Sequence, residues 1–600
     1  MTDKQRSLSS KDPFFRPKDG FRIGSKYRSN KRALHFEFFN LIARNKSFEP
    51  VINLNAGPLH PFIFFTVLLI GLNACGRPET PDGRIVENGV PLQSIERNTP
   101  WQRDTGALSN TGIYNELYTS VWLADGDFKV TATLSLERLD STTALFMLFD
   151  NHFGFDCKAD KEGPNGHFFF FSKADGKLRR FGKASDLITP GKPFQFTAER
   201  TDTIIRIAID GVEAAWIPTR IMVPPLAGSV GFRPWFNVMK IFDFRVEGKL
   251  VEPPKLDWIY TRGERGYLCF RIPAIVRARN GDLLAFAEGR RDVCFGDHGD
   301  IDLVLRRSTD NGKTWGDIQL VYDQGENTVG NPVPIVDERT GRVLLLFCHN
   351  LGQDDPIKIQ AEKSKEGRRV FVMHSDDHGV TWSAPREITD AVKKPDWTWY
   401  ATGPGSGLQL RYGPHAGRLI AGCDHMEKGT RKYYSHAVYS DDGGDTWQLG
   451  GNVPEEKVNE CEIAELPSGD LVINMRNFNY NSRHRQTAVS HDGGETWTGQ
   501  RTDPALPEPI CQGSLQYWDG RGLLFSNPSH RYTRANLVLK LSADGGRSWQ
   551  DSTVVYPGPA AYSDLIPLDR KRVGCLFEAG VAYPYEGIVW GVASLKSLAP

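Results

Sequence analysis

The sequence predicts an all-β chain, a six-bladed β-propeller preceded by a β-sandwich, and three observations carry that prediction. An eight-residue pattern recurs five times after residue 300, at 308–315, 375–382, 440–447, 490–497 and 542–549. Between about residues 85 and 250, apolar and polar residues alternate along several short stretches, the period of strands with one buried face. Glycine (59) and proline (37) make up about a sixth of the 600 residues and accompany 14 tryptophans, which suits turn-rich sheets better than helix bundles.

At 67.3 kDa the chain exceeds what one hydrophobic core holds, so at least two domains are expected. Its 73 basic residues equal its 73 acidic ones. That balance argues against a nucleic-acid partner, which needs a basic excess, and against long disorder. Nine cysteines (75, 157, 269, 294, 348, 423, 461, 511 and 575) include no C-x-x-C pair, so neither a zinc ribbon nor a dense disulfide scaffold is indicated.

Residues 1–75 read as an extension outside both domains. Residues 1–60 carry 12 Lys or Arg against 5 Asp or Glu and show no apolar period. The apolar run 61–72 is short for a bilayer span but suits the core of an export signal; a buried strand or helix is the alternative. Leu72-Asn73-Ala74-Cys75-Gly76 resembles a bacterial lipobox. That resemblance implies an exported, cell-envelope protein, periplasmic or extracellular, whose membrane contact is a lipid on Cys75. Signals normally lie near the first residue, so translation is expected to begin downstream of Met1, from a codon other than methionine because the next one is Met147.

The segment 85–250 reads as strand after strand. Phe128, Val130, Ala132, Leu134 and Leu136 alternate with polar residues; Ile205, Ile207 and Ile209 do so before Asp210-Gly211, a favourable hairpin turn. Phe242, Phe244 and Val246 repeat the alternation, and 168–171, four phenylalanines, read as a buried strand. No acid pair, nucleophile set or metal spacing stands out here. The segment resembles a laminin-G or concanavalin-type sandwich, for which glycan binding and a purely structural role are both open. Glu252-Pro253-Pro254-Lys255 reads as a linker to 256–600.

The five copies match the Asp-box, S-x-D-x-G-x-[ST]-W, at spacings of 67, 65, 50 and 52 residues, the size of one four-stranded blade with variable loops. Aspartate accepts from turn amides, glycine permits positive φ, and tryptophan wedges into apolar space. Repeats spread around a ring cannot share one active centre, so the boxes are expected to be structural, with one blade lacking a good copy.

Cys269-Phe270-Arg271-Ile272-Pro273-Ala274 matches the F-R-I-P motif of exo-α-sialidases (neuraminidases), ahead of the first box as in that family. With the boxes, the resemblance covers essentially all of 256–600. It implies three arginines that hold the carboxylate of sialic acid, a task for planar bidentate donors. Arg271 is the first by its motif, Arg476 in Ile473-Asn474-Met475-Arg476 the second, and Arg534 the best match for the third, with Arg531 close by. It further implies Tyr562 as nucleophile and Glu460 as its base, with Glu462 and Glu465 as local rivals that spacing does not separate. A neutral tyrosine avoids the repulsion that the substrate carboxylate would impose on an acidic nucleophile, and sialidases depart from the two-carboxylate rule.

The family's acid/base falls on Asp297, with Asp300 as runner-up; Arg290 matches a further pocket arginine, and Glu578 an acid that orients Arg271. The segment 403–409 resembles a pocket-edge loop. Trp397, Trp399 and Tyr400 precede it, with core packing or contact with the aglycone both open. The expectation is a retaining exo-α-sialidase acting on sialylated glycans, with no metal or organic cofactor. A trans-sialidase, a non-catalytic sialoside-binding propeller and a hydrolase for a related nonulosonic acid are the rivals.

Overall fold

The computed structural model describes residues 85–594 except 88–89, 96–100, 105, 111–115, 149–150, 157–165, 175, 225–226 and 236. All of these belong to one compact unit, Gly76–Pro600. The basic segment, the apolar run and Cys75 lie outside the described residues. Among the described residues the chain is almost wholly β; its α-helices are Pro356–Gln360 and Thr389–Val392.

Residues 85–247 form a sheet of eight strands and a sheet of seven. One core lies between them: Val130, Leu134, Phe196 and Ile207 from one sheet meet Leu117, Phe153, Phe168 and Phe232 from the other. In the strand Phe128–Leu136 the five expected apolar residues are buried while Lys129, Thr131 and Thr133 stay half-buried. Asp210 and Gly211, at φ 48° and 80°, turn the hairpin between Ile204–Ile209 and Val212–Pro218. The alternation expected of Phe242, Phe244 and Val246 fails at its first member. A register shift between Ile241 and Asp243 places Met239, Ile241 and Phe244 in the core and leaves Phe242 exposed. One extra residue in a strand flips the face of all that follow.

From residue 258 onward, pairing groups the strands into successive antiparallel sets. The first comprises Cys269–Arg277, Leu283–Arg290, Ile301–Ser308 and Gln319–Tyr322; the second Thr328–Val336, Val343–Asn350, Arg369–Ser375 and Arg386–Glu387. Third is Trp397–Thr402, Leu419–Glu427, Tyr433–Ser440 and Gln448–Asn452; fourth is Val458–Glu465, Leu471–Asn477, His484–Ser490 and Thr498–Pro507. The fifth holds Ser514–Trp518, Gly522–Pro528, Ala535–Ser542 and the start of the long strand Asp551–Pro567. The rest of that strand begins a sixth set with Arg572–Ala579 and Gly587–Ser594, and Trp258–Thr261 supplies its fourth strand. The beginning of this region therefore pairs with its end. First strands are buried along nearly their whole length, whereas fourth strands such as Arg386–Glu387 are exposed.

Each box occupies the turn between the third and fourth strands of sets one to five. Within 308–315, Ser308 Oγ donates to Asp310 at 2.8 Å, and the amides of Lys313 and Thr314 donate to the same carboxylate at 3.0 and 2.9 Å. The Thr314 hydroxyl adds a bond of 2.6 Å. The other four copies repeat the serine and threonine (or serine) bonds. The tryptophans reach the preceding set: Trp315 meets Trp590 edge-on at 5.4 Å, and Trp382 meets Phe286 at 5.8 Å. A Cβ on Gly444 would come within 1.9 Å of Leu344 in the neighbouring set, so this glycine permits both the positive φ and the close approach.

The donated bonds hold the box aspartates below their ordinary value. Thr314 foremost lowers Asp310 to about 2; at Asp544, burial opposes the shift but Ser548 and its neighbours still bring it to about 2. A folded-state value below the unfolded one stabilises above the unfolded value and is lost as pH falls through the folded one. The Asp310→Asn, Asp544→Asn double variant should therefore melt below wild type at about pH 5, and the gap should close towards about pH 2.5 in thermal scans. A gap that persists undiminished would deny these carboxylates their role.

Candidate active site

The first strands of four sets are interrupted at equivalent places. Register shifts fall between Arg271 and Ala274, Gly330 and Val333, Val458 and Cys461, and Ala560 and Ser563. The residues inside these bulges are Ile272, Asn331, Glu460 and Tyr562 with their neighbours, and these four line one cavity of about 380 Å³. A bulge breaks the alternation and re-aims a side chain. Here it turns otherwise buried strand positions towards a common space.

At the cavity floor the Tyr562 hydroxyl donates to Glu460 Oε1 at 2.5 Å. Arg476 Nη1 donates both to the other oxygen of Glu460, at 2.5 Å, and to the Tyr562 hydroxyl, at 2.8 Å. Burial and the charge of Glu460 push the Tyr562 phenol well above its usual value, against the pull of Arg476 and Arg534. The phenol is thus a proton donor at rest, hydrogen-bonded to a carboxylate that can take its proton.

Arg271, Arg476 and Arg534 all line the cavity. Arg271 Nε and Nη2 donate to Glu578 at 2.6 and 3.3 Å, and its guanidinium lies 4.1 Å from the centre of the Tyr585 ring. Arg534 donates to the Tyr585 hydroxyl and to the carbonyl of Ile510. Arg531 is exposed on the same loop and lies outside the lining. Burial opposes these charges, but acidic and aromatic neighbours keep all three guanidiniums charged. Three arginines facing one space form an anion site for a group that accepts planar, forked donors.

Asp297 stands at the rim of the cavity. Arg290, wholly buried, donates to it at 3.1 Å and is itself held by Glu288 and by the carbonyls of Cys294 and Gly296. Arg368 lies 3.7 Å away on the other side. Burial works against the Asp297 charge, yet Arg368, Arg290 and Arg271 together hold its carboxyl below the usual range. The loop that carries it is tied by a disulfide between Cys269 and Cys294, a pairing that cysteine spacing did not announce. Asp300 lies off the cavity, near Arg291 at 3.5 Å. Glu462 and Glu465 also point elsewhere: Glu462 accepts from the amides of Ser406 and Leu515, and Glu465 from those of Arg411 and Tyr412. The bulge at Glu460 is what separates it from them.

Some expectations shift. The segment 403–409 is not part of the cavity lining; it packs into the seam beside Glu462, where a Cβ on Gly405 would come within 1.9 Å of the carboxylate. Trp397 is stacked on His425 at 3.4 Å and Tyr400 is fully buried, but Trp399 does line the cavity, with Arg368 over its ring at 4.2 Å. Sequence reasoning missed Arg368, Asn331, Asp424 and Tyr585. Asp424 is fully buried, and burial with the nearby Glu460 charge pushes its carboxyl well up, against the pull of Arg368 and Arg476. None of the four sits in a recognisable motif.

The BNR repeat-like domain matches residues 281–585. A sialidase of Micromonospora viridifaciens is 32% identical over 371 residues, covering 56% of this chain and 55% of that protein. A sialidase of Bacteroides fragilis is 31% identical over 344 residues, with 54% and 62% covered. The solved structure of the Hadza microbial sialidase Hz136 superposes over 80% of this chain and 96% of its own at a TM-score of 0.52 and 22% identity, a likeness of fold. The chain belongs to the BNR repeat-like domain family. The chain spans about half to three-fifths of the length of the two sialidases named here.

Removing the charge of Glu578 should destabilise the whole unit. Both groups of the Arg271–Glu578 pair are buried, and breaking such a pair costs about 3–5 kcal/mol because the partner stays behind uncompensated. Urea unfolding of Glu578→Gln should show that loss, and an unchanged midpoint would mean the pair contributes nothing net.

Proposed function

We propose that the chain is a retaining exo-α-sialidase that removes terminal α-linked sialic acid from sialylated glycans. The observation that carries this reading is the Tyr562–Glu460–Arg476 cluster at the floor of a cavity ringed by arginines. The antiparallel sets are read as the six blades of a β-propeller over 256–600, and the two sheets of 85–250 as a laminin-G-like sandwich before it. Export with lipidation at Cys75 rests on the lipobox resemblance alone.

In this reading Arg271, Arg476 and Arg534 hold the substrate carboxylate and so place the anomeric carbon above Tyr562. The phenol oxygen attacks that carbon while its proton passes to Glu460. The glycosidic bond breaks, and its electron pair stays with the leaving oxygen, which takes a proton from Asp297. Water then attacks the same carbon, losing a proton to Asp297, as the bond to Tyr562 breaks and Glu460 returns the proton. Two displacements retain configuration. Because burial and Glu460 hold the phenol proton, its transfer accompanies the attack and does not precede it. Arg290 positions Asp297, and Glu578 positions Arg271.

Release of fluorophore from an α-sialoside tests the reading directly. Wild type should release it, and Tyr562→Phe should lose at least about a thousandfold in kcat, in keeping with loss of a nucleophile. A wild type without turnover would overturn the enzymatic reading; a fully active Tyr562→Phe would overturn the nucleophile.

The pH dependence has a defined sign. Asp297 must be protonated to act as the acid, and in the free protein three arginines hold its carboxyl low. A bound substrate carboxylate offsets those charges and raises it. The alkaline limb of kcat should therefore lie at higher pH than that of kcat/KM, since the first reports the complex and the second the free protein. Coincident limbs would contradict the electrostatic coupling.

A further inference from the structure

We propose that the N-terminal pair of sheets acts as a positioning element of the pocket, clamping the two loops that carry Tyr585 and Arg534. The role in catalysis rests on the reading above; the mechanical coupling does not. The turn 580–586 joins Arg572–Ala579 to Gly587–Ser594, and its side facing the N-terminal sheets is held at several points. Trp122 Nε1 donates to the carbonyl of Val581 at 2.8 Å, and the Trp122 ring packs on Tyr556 at 6.3 Å. Ala582 and Tyr583 rest on a buried patch of Tyr118, Ala144 and Met147 from the outer face of the eight-stranded sheet. That patch is stiffened by Glu116, which accepts from the Tyr118 hydroxyl at 2.7 Å and from Arg233.

The same turn presents its other side to the pocket. Tyr583 meets Tyr585 edge-on at 4.9 Å, Phe295 packs on both, and Tyr585 touches Arg271 through its ring and Arg534 through its hydroxyl. The second contact reaches the other loop. His530 Nδ1 accepts from the amides of Tyr532 and Thr533, so Nε2 carries the hydrogen and donates to the carbonyl of Pro224 at 3.0 Å. Arg534 follows directly on this turn. Contacts from the N-terminal sheets thus converge on the half of the pocket that would hold the carboxylate, while the Asp424 and Arg368 side receives none of them.

The test keeps the loops intact and alters only the sheet side, in the full chain. Trp122→Ala with Met147→Ala removes both supports; Trp122→Phe alone removes the indole donor while keeping the ring, should the double variant fold poorly. Amide hydrogen exchange of 581–586 should rise about tenfold in either variant while 530–535, still held through His530 and Pro224, and the strands Val458–Glu465 and Trp397–Thr402 keep their protection, because an opened support frees the segment it holds. KM for the α-sialoside should rise about tenfold with kcat within about twofold, and Met147→Leu should behave as wild type. Exchange unchanged in 581–586 overturns the coupling, as does exchange that rises uniformly. A wild type that releases no sialic acid overturns only the functional reading, because exchange still decides the coupling.

Discussion

The carboxylate of Glu578 is the interaction on which the site depends. It is fully buried and accepts four bonds: two from the Arg271 guanidinium, one from the amide of Ile272 at 2.9 Å and one from the amide of Tyr562 at 3.2 Å. It therefore lies on the seam where the last set meets the first, and it fixes both a pocket arginine and the backbone of the pocket tyrosine. A buried carboxylate without such partners would be expensive. With them it specifies which strand ends must meet.

The same device recurs between other sets. Glu288 accepts from the Asn331 amide, Glu462 from Ser406 and Leu515, and Asp564 from the Ile275 amide. Each acid sits on one set and satisfies backbone donors left unpaired on another, at bulges and strand ends. Neighbouring sets are joined by these acids and by box tryptophans packing across the same seams. Polar satisfaction inside and apolar burial outside therefore agree on one arrangement.

The overall charge of the chain says nothing about the pocket. A total of zero coexists with a cavity lined by Arg271, Arg476 and Arg534, with Arg368 beside Asp297, and with an Asp424 carboxyl pushed well up by burial. In so desolvated a space, each charge bears on its neighbours: the arginines hold the Asp297 carboxyl low, and burial together with the Glu460 charge keeps the proton on Tyr562. Charge balance bears on association with large polyanions, whereas recognition of a single carboxylate depends on where a few guanidiniums point.

By itself the sequence determined the class of fold and picked out several residues that the structure brings together. The boxes marked five turns because Ser, Asp, Gly and Trp at fixed offsets close a turn locally, and strand alternation was legible wherever one face met a core, as in Phe128–Leu136. Motif matching found Arg271, Arg476, Tyr562 and Glu460, which share one cavity. What only the tertiary structure decided lies at the bulges and between the sets. Alternation cannot tell Glu460 from Glu462, because an inserted residue changes the face and leaves no mark in the period. Arg368, Asp424 and Tyr585 owe their place to neighbours far away in the chain, and so does the bond between Cys269 and Cys294 across the loop of Asp297. Local patterns report local bonds; a site assembled from separate strands and loops is set by how they are packed.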